Sequence, residues 1–145
     1  MKIELRQAKY EDYSYLYELK KRTLKKYISN TWGWDENWQK KYFSTNFNPD
    51  LLKIIIKGGN EIGCISIIDE DNQIFLSLIE ILPEYQNQGI GSKLIKDLLI
   101  KAENLNKPVY LQVLKTNEKV KKLYLRLGFS IIEETKTHFK MIKEI

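Results

Sequence analysis

Residues 79–93, IEILPEYQNQGIGSK, constrain the chain more than any other stretch: an apolar strand, a proline turn, a glycine-containing loop and the start of a helix follow without a gap. Pro83 lacks a backbone donor and stops the strand after Ile81 and Leu82. From Gly91 the apolar residues recur at helical spacing, so the loop opens a helix. The first amides of a helix have no intrahelical partner and carry the positive end of its dipole. Gln88, Gly89, Ile90 and Gly91 therefore point several N–H groups at one spot, which suits a phosphate. A glycine turn that binds nothing would read the same way.

The flanking elements fall in a definite order. Residues 2–8 alternate, with Ile3 and Leu5 on one face, and read as a strand. Residues 10–27 carry Tyr13, Leu16, Tyr17, Leu19 and Tyr27 at the period of an amphipathic helix. A loop to Asp35 follows, and Asp35 caps a second helix through Trp38, Tyr42 and Phe43. Residues 51–57 and 61–68 form a hairpin about Gly58-Gly59-Asn60, and a strand over 73–82 extends the meander. A helix from Gly91 to about Asn104 and a strand over 109–114 imply a right-handed crossover and parallel pairing. Asn117 caps a last helix, Gly128 ends it in a left-handed conformation, and strands over 130–135 and 138–145 complete the chain.

The expected order is thus β-α-α-β-β-β-α-β-α-β-β. It describes an α/β (α+β) fold: one domain over residues 1–145, with a mixed sheet of about seven strands flanked by four helices.

Composition narrows the function. A chain of 145 residues with 43% hydrophobic and 30% charged side chains can bury one core without staples. The net charge of +5 comes from 24 basic and 19 acidic residues spread along the chain, and three of the basic residues are arginines. Neither a basic-aromatic signature nor an arginine-rich arm marks a nucleic-acid partner. Cys64 and His138 are single representatives of their types, too few for an internal disulfide or a common metal site. No apolar run is long enough for a bilayer, and none resembles a signal peptide, so a cytoplasmic location and no membrane partner are expected.

Gly-x-Gly-x-x-Gly is not met at the loop, since Leu94 stands at its third position, and Gly91 is followed by Ser92-Lys93 rather than by the P-loop continuation. What is met is Gln-x-x-Gly-x-Gly, as Gln86-Asn87-Gln88-Gly89-Ile90-Gly91, after strand-Pro-Glu-Tyr and before Ser92. This resembles the acyl-coenzyme A pyrophosphate loop of the GNAT superfamily of N-acetyltransferases. A second patch, NEKVKKLYLRLGF over 117–129, resembles that family's other signature, in which an asparagine caps a helix carrying a tyrosine and ending in Gly-Phe. Two departures stand out. Gln86 replaces the more frequent arginine and brings no charge, and Val120 replaces a usual small residue.

The resemblance implies an acetyl-coenzyme A dependent N-acetyltransferase in which a primary amine attacks the thioester directly. A non-catalytic acyl-coenzyme A binding or regulatory module is the alternative. Acetyl-coenzyme A would lie against Ile81, Leu82, Gln86, Asn87, Gln88, Gly89, Ile90, Gly91, Ser92, Asn117 and Tyr124, in a gap between splayed fourth and fifth strands, and no metal is implied. A backbone N–H near Leu82 would polarise the carbonyl. Tyr124, a phenol with a pKa of about 10, stands where the family's general acid sits, although it shares a helical face with Val120 and Leu127 and could simply pack.

Glu80 is a carboxylate inside an apolar strand, which asks for a reason. Facing the gap it would serve as base or bind the amine; facing away it would be paired with a lysine or solvated. The acceptor loop over Tyr27 to Asp35 offers Trp32 and Trp34, either as an aromatic wall for an amine or as a core plug. Cys64 reads as a small core residue and His138 as a surface or pairing histidine. Lys93, Lys119 and Lys122 are candidates for a ribose phosphate. The partner is a small-molecule or peptide amine, and an exposed edge at the last strand would leave room for a homodimer.

Overall fold

The computed structural model describes residues 2–145. It contains β1 (Ile3–Gln7), α1 (Tyr13–Thr31), α2 (Glu36–Asn46), β2 (Lys53–Lys57), β3 (Asn60–Asp69), β4 (Ile74–Ile81), α3 (Ile90–Leu105), β5 (Val109–Leu114), α4 (Glu118–Arg126), β6 (Ser130–Glu134) and β7 (His138–Lys143). The four helices and seven strands, and their order, are those expected. Strands hydrogen-bond in the order β1-β2-β3-β4-β5-β7-β6. β4 and β5 run parallel, paired at their starts through Ile74 with Val109 and Phe75 with Tyr110. Contacts divide the chain into two compact units, one up to Ser66 with Leu78–Gln86, the other Ile67–Ser77 with Asn87–Ile145.

In the first unit, β1 pairs antiparallel with β2 and β2 with β3. Lys57 faces Asn60 across a two-residue turn in which Gly58 and Gly59 both have positive φ, at 58° and 79°. That is the turn whose twist matches the strands it joins, and glycine takes it without a Cβ clash. The core gathers Ala8, Leu16, Leu19, Ile54 and Cys64, with Phe43, Phe47, Leu52, Leu78 and Leu82 packed against them. Fully burying each leucine or isoleucine contributes about 1.5–3 kcal/mol. Tyr13 meets Phe43 and Phe47 edge-on at 5.1 Å each, and Tyr17 meets Phe43 at 5.3 Å. These contacts hold α1 against α2 and add about 0.5–1.5 kcal/mol per pair beyond area.

Three local expectations need correction. The first helix does not stop at Tyr27: Ile28 is buried, Thr31 Oγ1 bonds back to the Tyr27 carbonyl at 2.8 Å, and Gly33, at φ 86°, closes the end by donating to the Ser29 carbonyl. Tyr27 is therefore helical, and the loop between the two helices shrinks to Trp32–Asp35. The second strand starts at Lys53, because Pro49–Leu51 form a 3-10 turn capped by Asn48, whose side chain accepts from Asp50 N–H. Last, β7 lies between β5 and β6, so the exposed edge is β6 rather than the last strand. All five of its residues are exposed.

In the second unit, α3 buries Ile90, Leu94, Ile95, Leu98 and Ala102, a helical stripe. β5 alternates, with Val109, Leu111 and Val113 buried, and pairs antiparallel with β7 along its length. Asn106 ends α3 in the left-handed region, which an asparagine tolerates. Gly128, at φ 96°, ends α4 and turns the chain so that Phe129 N–H reaches the Tyr124 carbonyl at 3.0 Å. Among the described residues no helix is long and apolar enough to cross a membrane.

Candidate active site

The end of β4 and the turn after it close the first unit. Leu82 donates its backbone N–H to the Ile62 carbonyl at 2.8 Å. Successive N–H groups of a strand point to opposite sides, so the N–H and C=O of Ile81 point away from β3. The amide turned away from β3 is therefore that of Ile81, next to Leu82, near which the family resemblance places the polarising donor. The Ile81 carbonyl is held in turn by the Gln86 side-chain amide at 2.8 Å. Gln86 thus spends one donor on its own strand end and keeps the other. Close approach of β3 to β4 depends on Gly63, where a Cβ would stand 2.1 Å from the Glu80 carbonyl oxygen.

Glu80 shares its face of β4 with Leu78 and Leu82, the face packed on the apolar core beneath α1. It is only 5% exposed. Its Oε1 accepts a hydrogen bond from the Cys64 thiol at 3.6 Å, and the Lys20 ammonium attracts it. Burial outweighs both and raises its pKa to about 7. Of the sequence alternatives, a solvated carboxylate is not what the structure has: the surroundings are apolar, with one thiol donor and the charge of Lys20. Lys20 is itself pushed down by burial, less the pull of Glu80, and lies 5.3 Å from the Tyr42 ring centre and 5.8 Å from that of Phe43. Burial also drives the Cys64 thiol well up, so its proton stays on sulfur.

Neither Lys20 nor Cys64 was singled out as a functional residue from the sequence. Lys20 was legible in part, since it stands four residues after Leu16 on the inward face of α1, where a charge breaks the apolar pattern. A further link missed from sequence joins Arg22 to Glu84 at 2.8 Å, tying α1 to the turn before Gln86. Trp32 is 62% exposed and Trp34 keeps its indole N–H buried without a hydrogen-bond partner. The first is outward, and the second lies inward near Lys25.

The second unit begins within the loop. Asn87 and Gly89 take positive φ, 62° and 80°, which swing the chain into α3. Gly89 is the N-cap and supplies no side-chain acceptor, while Lys93 N–H returns to its carbonyl at 3.0 Å. The amides of Ile90, Gly91 and Ser92 are thus the first turn of a sixteen-residue helix with no side chain capping them, an arrangement that fits a pyrophosphate. Lys93 pairs with Asp97 at 2.9 Å.

Asn117 and Tyr124 share α4. Asn117 Oδ1 accepts from Val120 N–H at 3.3 Å, the cap the sequence called for. Tyr124 is 4% exposed and packs edge-on against Phe129 at 5.5 Å. Burial raises its pKa, so the phenol holds its proton throughout the physiological range. His138 is partly buried, pairs with Thr137 Oγ1 at 2.8 Å, and is pushed down by burial.

Comparison with known proteins agrees with the fold. The acetyltransferase (GNAT) family model matches residues 13–129. PaiA N-acetyltransferase from Thermoplasma acidophilum, solved with coenzyme A, is similar at a TM-score of 0.80 with 19% identity, over 100% of both chains. Naa50 from Arabidopsis thaliana, solved with the bisubstrate analogue CoA-Ac-MVNAL, gives 0.69 with 18% identity, also over 100% of each. The ribosomal-protein-S18-alanine N-acetyltransferase from Escherichia coli gives 0.68 with 19% identity, over 98% of this chain and 93% of that one. At such identities the structures share a fold, whereas the family model spans most of the sequence and both of its motifs. The chain belongs to the acetyltransferase (GNAT) family, and with it to the acyltransferases.

Proposed function

We propose that the chain acetylates a primary amine, with acetyl-coenzyme A as donor, by direct attack of the free amine on the thioester. The observation that carries this reading is the start of α3, which opens at Gly89 without a side-chain cap, within the Gln86–Gly91 motif. Gln86, Asn87, Gln88, Gly89, Ile90, Gly91 and Ser92 would hold the pyrophosphate, chiefly through backbone amides. The backbone of Ile81 and Leu82 would run beside the pantetheine arm, with the outward N–H of Ile81 polarising the thioester carbonyl. Asn117 would act by fixing the start of α4.

Bond by bond, the amine nitrogen forms a bond to the acetyl carbon and the carbon–sulfur bond breaks. One amine proton leaves to Glu80, whose pKa of about 7 suits a base at neutral pH. The departing thiolate takes a proton from Tyr124, which burial keeps protonated. Trp32 and Trp34 lie on the loop assigned to the acceptor, and the peptide portion of the analogue bound to Naa50 favours a peptide amine as the first class to try. The buried single thiol of Cys64 suits the reducing cytoplasm.

Thiol release from acetyl-coenzyme A, measured against peptides with a free α-amine, lysine side chains and polyamines, tests the reading. Release with one class, reduced on the order of 10²-fold in kcat by Tyr124→Phe with coenzyme affinity unchanged, is the expected result. Binding of coenzyme without release for any amine would favour a binding module instead.

A further inference from the structure

The Glu80 carboxylate is buried with unusual neighbours. From β3, Cys64 donates its thiol to Oε1 at 3.6 Å. From α1, Lys20 adds a positive charge, held in place by contact with the Tyr42 and Phe43 rings of α2. Tyr15, also on α1, packs on the same core, and its hydroxyl is buried without a hydrogen-bond partner. A carboxylate has about four lone-pair sites, and a thiol is a weak donor. Glu80 is therefore restrained at one oxygen without being locked into its ionised form, as a bidentate arginine would lock it.

Resting on the reading of Glu80 as the base, we infer that Cys64 and Lys20 are positioning residues for it. The thiol fixes one carboxylate oxygen and leaves the other available to take a proton, and the ammonium draws the carboxylate towards its ionised form against the larger effect of burial. Both neighbours favour the carboxylate over the acid, against the cost of burial. Removing either should therefore move the ionisation of Glu80 to higher pH. For a base, the ionised fraction and the rate fall together on the acid side of the profile and recover at alkaline pH. A shift of one unit lowers the rate near pH 6 by roughly ten-fold and leaves the alkaline plateau within about two-fold. Cys64→Ser keeps a donor at the same place and should restore most of the wild-type profile.

The test is the direct titration of Glu80 by carbon-13 NMR of side-chain-labelled full-length protein, with Glu80→Gln assigning its signal. Wild type is compared with Cys64→Ala, Cys64→Ser and Lys20→Met. The same proteins are assayed for thiol release from acetyl-coenzyme A, with a free α-amine peptide, across pH. The inference expects the carboxyl titration and the acid limb to move up together in Cys64→Ala and Lys20→Met, and to stay near wild type in Cys64→Ser. A carboxyl titration unmoved by Cys64→Ala and Lys20→Met overturns the inference, while a large loss in Glu80→Gln would leave the base reading standing. A carboxyl titration that moves while Glu80→Gln keeps full activity overturns the base reading, and the positioning role with it. Should Cys64→Ala not fold, Lys20→Met and Cys64→Ser still decide the matter, since an unmoved Lys20→Met titration contradicts the role given to its charge.

Discussion

The backbone N–H of Leu82 is bound to the carbonyl of Ile62 at 2.8 Å, which turns the amide of Ile81 away from β3. Pairing of β3 with β4 thus decides which amide of the strand end can meet a ligand. On adding acetyl-coenzyme A to nitrogen-15 labelled protein, the Ile81 amide resonance should move more than that of Leu82. Equal or reversed shifts would place the polarising donor elsewhere.

Glu80 makes stability depend on pH with a definite sign. Below its ordinary pKa of 4.5 the side chain is neutral in both folded and unfolded chains, and burial carries no charge cost. Between 4.5 and about 7 the unfolded chain ionises while the folded one holds its proton, so stability falls as pH rises through this window. Above it the full penalty of about 3 kcal/mol remains. Glu80→Gln should remove this slope, gaining more over wild type near pH 8 than near pH 5 in urea melts. An identical gain or loss at both pH values would contradict a raised pKa.

Gly63 lets β3 and β4 approach. An added methyl would sit 2.1 Å from the Glu80 carbonyl oxygen, which is backbone and cannot rotate aside. Gly63→Ala should cost about 2–4 kcal/mol and disturb the Leu82–Ile62 bond beside it. Calorimetric melting checks the cost, and hydrogen exchange at Leu82 checks the site. A variant as stable as wild type would mean the two strands separate freely.

Asn117 caps α4 through Val120 N–H, so Asn117→Ala should lose about 1 kcal/mol while Asn117→Asp keeps most of it. Coenzyme affinity should follow stability across the three proteins. Weakened binding in Asn117→Asp with stability intact would indicate a direct contact instead.

Much of this organisation is legible in the residues. Alternation in Val109–Leu114, the Gly58-Gly59 turn and the Asp35 and Asn117 caps are local signals, and local physics decided them. The end of α1 was not legible, because Ser29, Asn30 and Thr31 are weak helix formers and it is the burial of Ile28, with the left-handed stop at Gly33, that carries the helix on. Strand order at β7 is a tertiary choice that no periodicity records. The loop over 86–91 is readable because the motif is contiguous. The surroundings of Glu80 are not, since Lys20 and Cys64 lie 60 and 16 residues away in the chain and only folding sets a thiol and an ammonium against one carboxylate.

The central claim is that residues 86–92 hold the phosphates of acetyl-coenzyme A. Its most direct measurement is calorimetric titration of wild type and Gly89→Val with acetyl-coenzyme A and, separately, with dephosphorylated pantetheine. Valine at φ 80° strains the cap and crowds the first amides. The account expects wild type to bind acetyl-coenzyme A at least about ten-fold more tightly than pantetheine, and expects folded Gly89→Val to lose that difference. Equal affinity of wild type for the two ligands, or no binding of acetyl-coenzyme A at all, would contradict it.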